Sequence, residues 1–200
     1  AATYLVKHMK AITQKRIEVH THTDFGMGVA TSLAALTAGA EVIHASIGGL
    51  GERTGNTPLD ESAVAAKTLY GVDSNIKFDK LYDISHEVLE ISKFQVAPSK
   101  PVIGERAFTR ESGMGVDLVK KQPLALFGVN PTWVGQQPQY VLGKKSGIGS
   151  IEMKLEDLGM PMLDDEAKNK VLLEVKNMGL KKKGLVTDEE FKEIVNRVVG

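Results

Sequence analysis

Cysteine is absent from the 200 residues, which excludes disulfides and thiolate-held metals. A cysteine-free chain fits a reducing compartment, and the expected location is cytoplasmic. Neither sign of charge is in excess: 25 Lys and Arg balance 25 Asp and Glu, leaving no basic field for nucleic acid or an anionic membrane. No apolar run approaches the ~18 residues of a membrane span, and the N-terminus shows no signal-peptide pattern. No Ser-His-Asp arrangement, P-loop or dinucleotide fingerprint is present. Gly48-Gly49-Leu50-Gly51 is glycine-rich but lacks the strand–GxGxxG–helix order. An initiator methionine is lacking too. The opening Ala-Ala-Thr-Tyr reads as the middle of a helix, so a processed, trimmed or partial chain is expected.

What is present is ordinary for a globular protein: 42% apolar and 25% charged residues, enough for one sizeable core or two small ones. Residues 2–14 read as a helix with Tyr4, Leu5, His8, Met9 and Ile12 on one face. Residues 16–22 alternate with a period of two, placing Ile17, Val19 and Thr21 on one side and Glu18, His20 and His22 on the other. A small-residue helix over 29–38 follows, closed by Gly39. A second strand over 41–47 puts Val42, His44 and Ser46 on one face. A glycine-rich loop leads to a helix predicted to start with Thr57 as N-cap and Pro58 at its first position, ending at Gly71.

This is a βα repeat and predicts a parallel sheet. Two strands cannot close or bury such a sheet, because all-parallel sheets are covered on both faces and are rarely this narrow. If the pattern belongs to a (β/α)₈ barrel of about 250 residues, about three quarters of that barrel lies outside this chain. Beyond residue 75 the alternation stops. Residues 78–94 predict an amphipathic helix with Leu81, Ile84, Val88 and Ile91 in register and His86 on its polar side. Residues 97–150 are rich in Pro and Gly and hold Trp133, the lone tryptophan. A long aperiodic stretch of this kind is read as a lid or partner-binding segment. Two terminal helices are predicted, one capped by Asp164 and stopped at Gly179, the other opened by a Thr187/Glu190 capping box. Lys181-Lys182-Lys183 is a solvated linker between them. The expected division is 1–74 for the barrel part, 75–150 for a linker or lid, and 151–200 for a helical subdomain.

Chemistry concentrates between Arg16 and Asn56. A His-x-His pair on one strand sets two imidazoles ~6.5–7 Å apart along one face, close enough to share a divalent ion or to form a hydrogen-bonded polar patch. Both histidines lie at the C-terminal end of their strand, where sites gather in parallel α/β folds. The loop after the second strand delivers Glu52, Arg53 and Asn56 to the same rim. The Asn56 oxygen is a third candidate ligand, and Arg53 suits a carboxylate by bidentate pairing. Asp24 is read as a helix cap or as a partner orienting a histidine.

HTHTDFGMGVATSLAALTAGAEVI followed by GGLGERTGNTPLDE resembles the isopropylmalate, homocitrate and citramalate synthase family, whose superfamily includes hydroxymethylglutaryl-CoA lyase. AFTRESGMGVD (107–117) is similar to that family's AFxHESGIHxD, and VLGKKSG (141–147) to its LGKHSG. The tail over 172–195 resembles the helical subdomain of homocitrate synthases. The resemblance implies the C-terminal portion of a TIM barrel, its last two strands and their helices, followed by a mostly helical subdomain. It implies an acyltransferase that condenses acetyl-CoA with a 2-oxo acid and hydrolyses the thioester. His20, His22 and Asn56 become ligands of Mg²⁺, Mn²⁺ or Zn²⁺, and Glu52, Arg53 and Thr54 substrate-binding rim residues. Thr23 stands where the family has Asn, Arg110 and Gly115 where it has the two histidines of HESGIH, and Lys145 where LGKHSG has His. The catalytic candidates in that segment are then Arg110 and Glu111, the latter as an alternative base. The family's aspartate ligand lies in the earlier barrel half. The expected partner is that half, in cis or as a separate subunit, within a homodimer or hetero-oligomer. A carbon–carbon lyase or aldolase and a non-catalytic subunit are the competing classes. Which oxo acid is used stays open.

Overall fold

The computed structural model describes residues 1–200, which fall into two compact units: residues 1–107 with 132–136, and residues 108–131 with 137–200. No helix is long and apolar enough to cross a membrane.

The first unit begins with α1 (Ala2–Ile12), which docks through Val6 against Ala35 and Ala40, with Ile17 and Val19 at the edge of that cluster. The apolar stripe read from the sequence faces the other way. Tyr4, Leu5, Met9 and Ile12 are all exposed, Tyr4 and Ile12 by 73% and 67%. β1 (Glu18–His20) pairs in parallel with β2 (Val42–His44), in the register Glu18↔Val42, Val19↔Ile43, His20↔His44. Both strands are shorter than the alternation predicts. α2 (Gly28–Thr37) connects them and buries Ser32, Leu33 and Ala35, small enough to lie close to the sheet.

α3 (Leu59–Tyr70) corrects the predicted cap. Its N-cap is Pro58, and Thr57 is fully buried with its hydroxyl turned to Thr21 and Ser32 instead of to the helix. Gly71 closes the helix in the left-handed conformation, as expected. α4 (Leu81–Ser92) buries Leu81, Ser85 and Leu89, whereas Ile84 and Ile91 stand exposed. The buried face is therefore set by a spacing of four, against the 47–49 turn, where Leu89 reaches Gly48. His86 is not free surface: its Nε2 is 3.0 Å from the Ile103 carbonyl, and its ring lies 4.2 Å from that of Tyr82. Trp133 stacks on Phe78 at 4.5 Å, and Gln136 donates to the carbonyls of Val102 and Gly104. Part of the aperiodic stretch thus belongs to the first unit.

The second unit carries a two-residue parallel pair, β3 (Thr109–Arg110) with β4 (Gln139–Tyr140), and the helices α5 (Leu118–Lys121), α6 (Ile148–Asp157), α7 (Asp165–Lys182) and α8 (Asp188–Val199). Its core is Leu142, Ile151, Leu155, Val171, Val175, Val186, Phe191, Ile194 and Val195. Asp164 caps α7 by accepting the Ala167 N–H, and Thr187 with Glu190 forms the predicted capping box on α8. Gly179 does not stop α7. It lies inside the helix where a Cβ would come within 2.9 Å of the Lys144 nitrogen, so its role is close packing.

Candidate metal centre

Backbone pairing brings the two expected segment ends together. His22 and Asn56 form an isolated antiparallel bridge, Thr23 N–H donates to Gly55 O at 3.0 Å, and Thr57 N–H donates to Thr21 O at 3.1 Å. Beneath this zipper the hydroxyls of Thr21, Ser32 and Thr57 form a triangle with sides of 2.7, 2.7 and 2.8 Å. Ser32 and Thr57 are fully buried, so each hydroxyl needs the partners it has. The triangle fastens the strand end to α2 and to the start of α3.

On this base the Nε2 atoms of His20 and His22 stand 3.2 Å apart, with the rings edge to face. Two nitrogens bound to one ion at about 2.1 Å lie roughly 3.0 Å apart at a right angle and 3.4 Å apart in a tetrahedron, so this spacing suits a shared ion. The Nδ1 of His22 faces the Glu52 carbonyl at 3.3 Å. Donation there leaves Nε2 as the lone-pair nitrogen, the usual way a ligating imidazole is fixed. Asn56 gives its amide N–H to Leu50 O at 3.1 Å, which leaves the amide oxygen for a cation. The three donors fit a divalent ion in kind, but all are neutral, and no group of three His, Cys, Asp or Glu is arranged to hold a metal. A hard cation would need an anionic oxygen from elsewhere.

The rim residues behave differently from their reading in the sequence. Arg53 grips Asp24 with a two-pronged pair, Nε to Oδ1 at 3.1 Å and Nη2 to Oδ2 at 3.0 Å. Asp24 therefore neither caps α2, whose N-cap is Met27, nor touches a histidine ring by hydrogen bond. The Arg53 guanidinium beside it holds the Asp24 carboxyl below the usual carboxylate range. It is the Glu52 carbonyl, not its carboxylate, that meets His22. Glu52 and Thr54 are exposed. Asp60 anchors the glycine loop, accepting the Gly48 N–H at 2.8 Å from a fully buried position. Its second oxygen has no partner, and burial pushes its carboxyl up from the ordinary range.

A second row of residues escaped the sequence reading. His44 lies beside His20 across the sheet, and its Nε2 is 3.1 Å from Glu18, which Arg16 holds from the other side. The alternation placed Glu18, His20 and His44 on faces, but the register that makes them neighbours depends on strand pairing.

In the second unit, Arg110 donates to the Met114 carbonyl, and Glu111 Oε1 accepts the Lys145 N–H at 3.0 Å. Gly113 N–H donates to Lys145 O, and the backbone of Gly147 comes so close to Gly113 that a side chain at 113 has no room. Residues 107–117 and 141–147 are thus two halves of one backbone junction. Gly115 adopts φ +65, a conformation that any other side chain enters only with strain.

Residues 1–88 match the HMGL-like family model, and residues 102–183 match the model described as homocitrate synthase post-HMGL domain-like. The chain is 41% identical over 203 residues to a 2-isopropylmalate synthase of Methanocaldococcus jannaschii, covering 100% of this chain and 39% of that protein. It is 39% identical over 199 residues to the homocitrate synthase AksA of Methanopyrus kandleri, 100% of this chain and 50% of that one. An (R)-citramalate synthase of Methanocaldococcus jannaschii is 38% identical over 184 residues, 92% of this chain and 37% of its own length. The chain therefore spans half or less of these relatives.

Proposed function

We propose that the chain, which matches the HMGL-like model over residues 1–88 and the homocitrate synthase post-HMGL model over residues 102–183, is the C-terminal part of a TIM-barrel acyltransferase. The whole protein condenses acetyl-CoA with a 2-oxo acid and hydrolyses the resulting thioester. Its missing barrel half, in the same polypeptide or as a separate subunit, supplies the carboxylate that the neutral donors here lack. His20, His22 and Asn56 would hold a divalent ion, Mg²⁺, Mn²⁺ or Zn²⁺, which when bound would supply Lewis acidity toward the oxo acid's carbonyl.

The chain's own residues hold that site in shape. His20 and His22 present converging nitrogens, Glu52 O fixes the His22 tautomer, and Asn56 offers its amide oxygen. Thr21, Ser32 and Thr57 keep the strand end from shifting. The Asp24–Arg53 pair ties the loop 50–56 to the segment after β1. The 3.2 Å separation of the two imidazole nitrogens carries the metal reading.

The match over residues 102–183 favours a synthase over a lyase of the same superfamily. Gly115 supports a second reading, a non-catalytic subunit, because no imidazole is available at that point of the 107–117 segment. The chain combined with its barrel half, the metal, acetyl-CoA and a panel of 2-oxo acids should release free CoA thiol with one of them. A formed, metal-loaded complex that releases no thiol with any oxo acid would sink the synthase reading and leave the non-catalytic one.

A further inference from the structure

His20 and His22 are not secured in the same way. His22 has a backbone carbonyl on its second nitrogen. His20 has no hydrogen bond other than its approach to His22, yet a ligating imidazole needs its ring plane fixed. Its ring is instead held edge to face between two others, His22 at 5.1 Å and 73° and His44 at 5.7 Å and 68°. His44 is directly across from it in the strand register. The far end of His44 is in turn tied down: Nε2 lies 3.1 Å from Glu18 Oε2, and the other Glu18 oxygen receives Arg16 through Nε at 3.2 Å and Nη2 at 2.6 Å.

We infer that His44, anchored by Glu18, is a positioning residue for His20. It does for that ring by packing what the Glu52 carbonyl does for His22 by hydrogen bonding. The chain of contact runs Arg16 to Glu18, Glu18 to His44, and His44 to His20, crossing from β1 to β2 and back. His44 and Glu18 lie outside the His20, His22 and Asn56 set, so they act through His20 and not on a substrate. The inference deepens the metal reading above and rests on it for its consequence, but the orientation of His20 can be measured without any metal.

The test compares the full chain with His44→Ala, His44→Phe and Glu18→Gln. Side-chain ¹⁵N–¹H spectra of the histidines read ring order, and calorimetric titration with Ni²⁺ at fixed pH reads affinity. The His20 ring signals should shift and broaden in His44→Ala and Glu18→Gln, while those of His8 stay put. Ni²⁺ affinity should fall about 10–100-fold in His44→Ala, and less in His44→Phe, which keeps a ring but loses Glu18. Unchanged His20 signals and an unchanged affinity in His44→Ala would overturn the inference. A larger loss with one fewer imidazole bound in the spectra would also overturn it, making His44 a ligand. If a His20→Ala/His22→Ala variant binds Ni²⁺ as the parent does, the metal reading falls, and the ring spectra alone decide the role of His44.

Discussion

A single methyl group tests how the second unit is packed. At Gly179 an added Cβ would meet the Lys144 nitrogen at 2.9 Å and the Gly143 Cα at 3.2 Å, both backbone atoms that cannot rotate away. Alanine ordinarily favours a helix interior by about 1 kcal/mol over glycine. Here overpacking of about 1–3 kcal/mol should win, so Gly179→Ala lowers the urea midpoint. Tyr140 offers a second measurement. Its hydroxyl donates to Asp157 Oδ2 at 2.5 Å, and Lys154 lies 5.1 Å above its ring. Tyr140→Phe keeps the ring contact and removes the hydrogen bond, so a loss of about 1 kcal/mol in denaturant unfolding is expected. Asp60 gives a pH dependence with a definite sign. In the unfolded chain its carboxyl titrates near 3.8, and in the folded chain burial raises it, so the folded state holds the proton more tightly. That stability is fully present below pH 3.8 and is lost as the pH rises through the folded value. Relative to Asp60→Asn, whose amide oxygen still faces Gly48, the parent should lose stability as the pH rises above 3.8. A constant difference across that rise would contradict the assignment. At this scale the sequence placed His20, His22 and Asn56 at neighbouring segment ends, and the pairing of His22 with Asn56 brings those ends together. The sequence was silent on Thr57, which looks like a helix cap in a linear string. The burial that recruits its hydroxyl to Thr21 and Ser32 comes from chain segments far away in sequence.

Elements were legible where a local rule decides them. The α8 capping box needs only Thr187 and Glu190 three residues apart, and the structure has it. Thr187→Ala should therefore cost about 1 kcal/mol, read as a lower thermal midpoint. The βα alternation likewise follows from periodicity and short loops. Helix faces were less legible, because periodicity identifies a stripe without saying what covers it. On α4 the buried positions are Leu81, Ser85 and Leu89, a row no hydropathy pattern would choose over Ile84 and Ile91. On α1 the stripe is present, yet Val6 on the opposite side is what docks. In the proposed assembly this bare face would pack against the barrel half that lies outside the chain. Leu5→Glu with Ile12→Glu should leave the melting of the isolated chain nearly unchanged, since both side chains are already exposed. The same pair should abolish co-elution with the barrel half in size-exclusion chromatography. Loss of stability in the isolated chain would mean that the stripe is covered by the chain itself.

Taken whole, the proposed site pairs two imidazole nitrogens 3.2 Å apart with no charge of its own. On the proposed metal reading, two imidazoles and an amide would orient a cation, and the anionic oxygen would come from other residues. The relatives, of which this chain covers 37–50%, have the length to provide it. The sequence reading of a partial barrel rests on its count of strands, because all-parallel sheets are covered on both faces and are rarely only two strands wide. It gave no sign that residues 132–136 return to the first unit, since the contacts of Trp133 and Gln136 follow no periodicity.

β1 pairs only with β2, so each strand keeps a row of unpaired backbone groups along one side. Such rows are templates on which copies of a chain can stack into aggregates. Brevity and charge stand against that here. Each strand is three residues long, and Arg16 and Glu18 put ionised groups at the start of β1. Glu18→Val would remove one of those guards and raise the β-propensity of the strand in a single step. The carboxylate that steadies His44 also serves as a gatekeeper, and its replacement should show first as turbidity when the chain is concentrated.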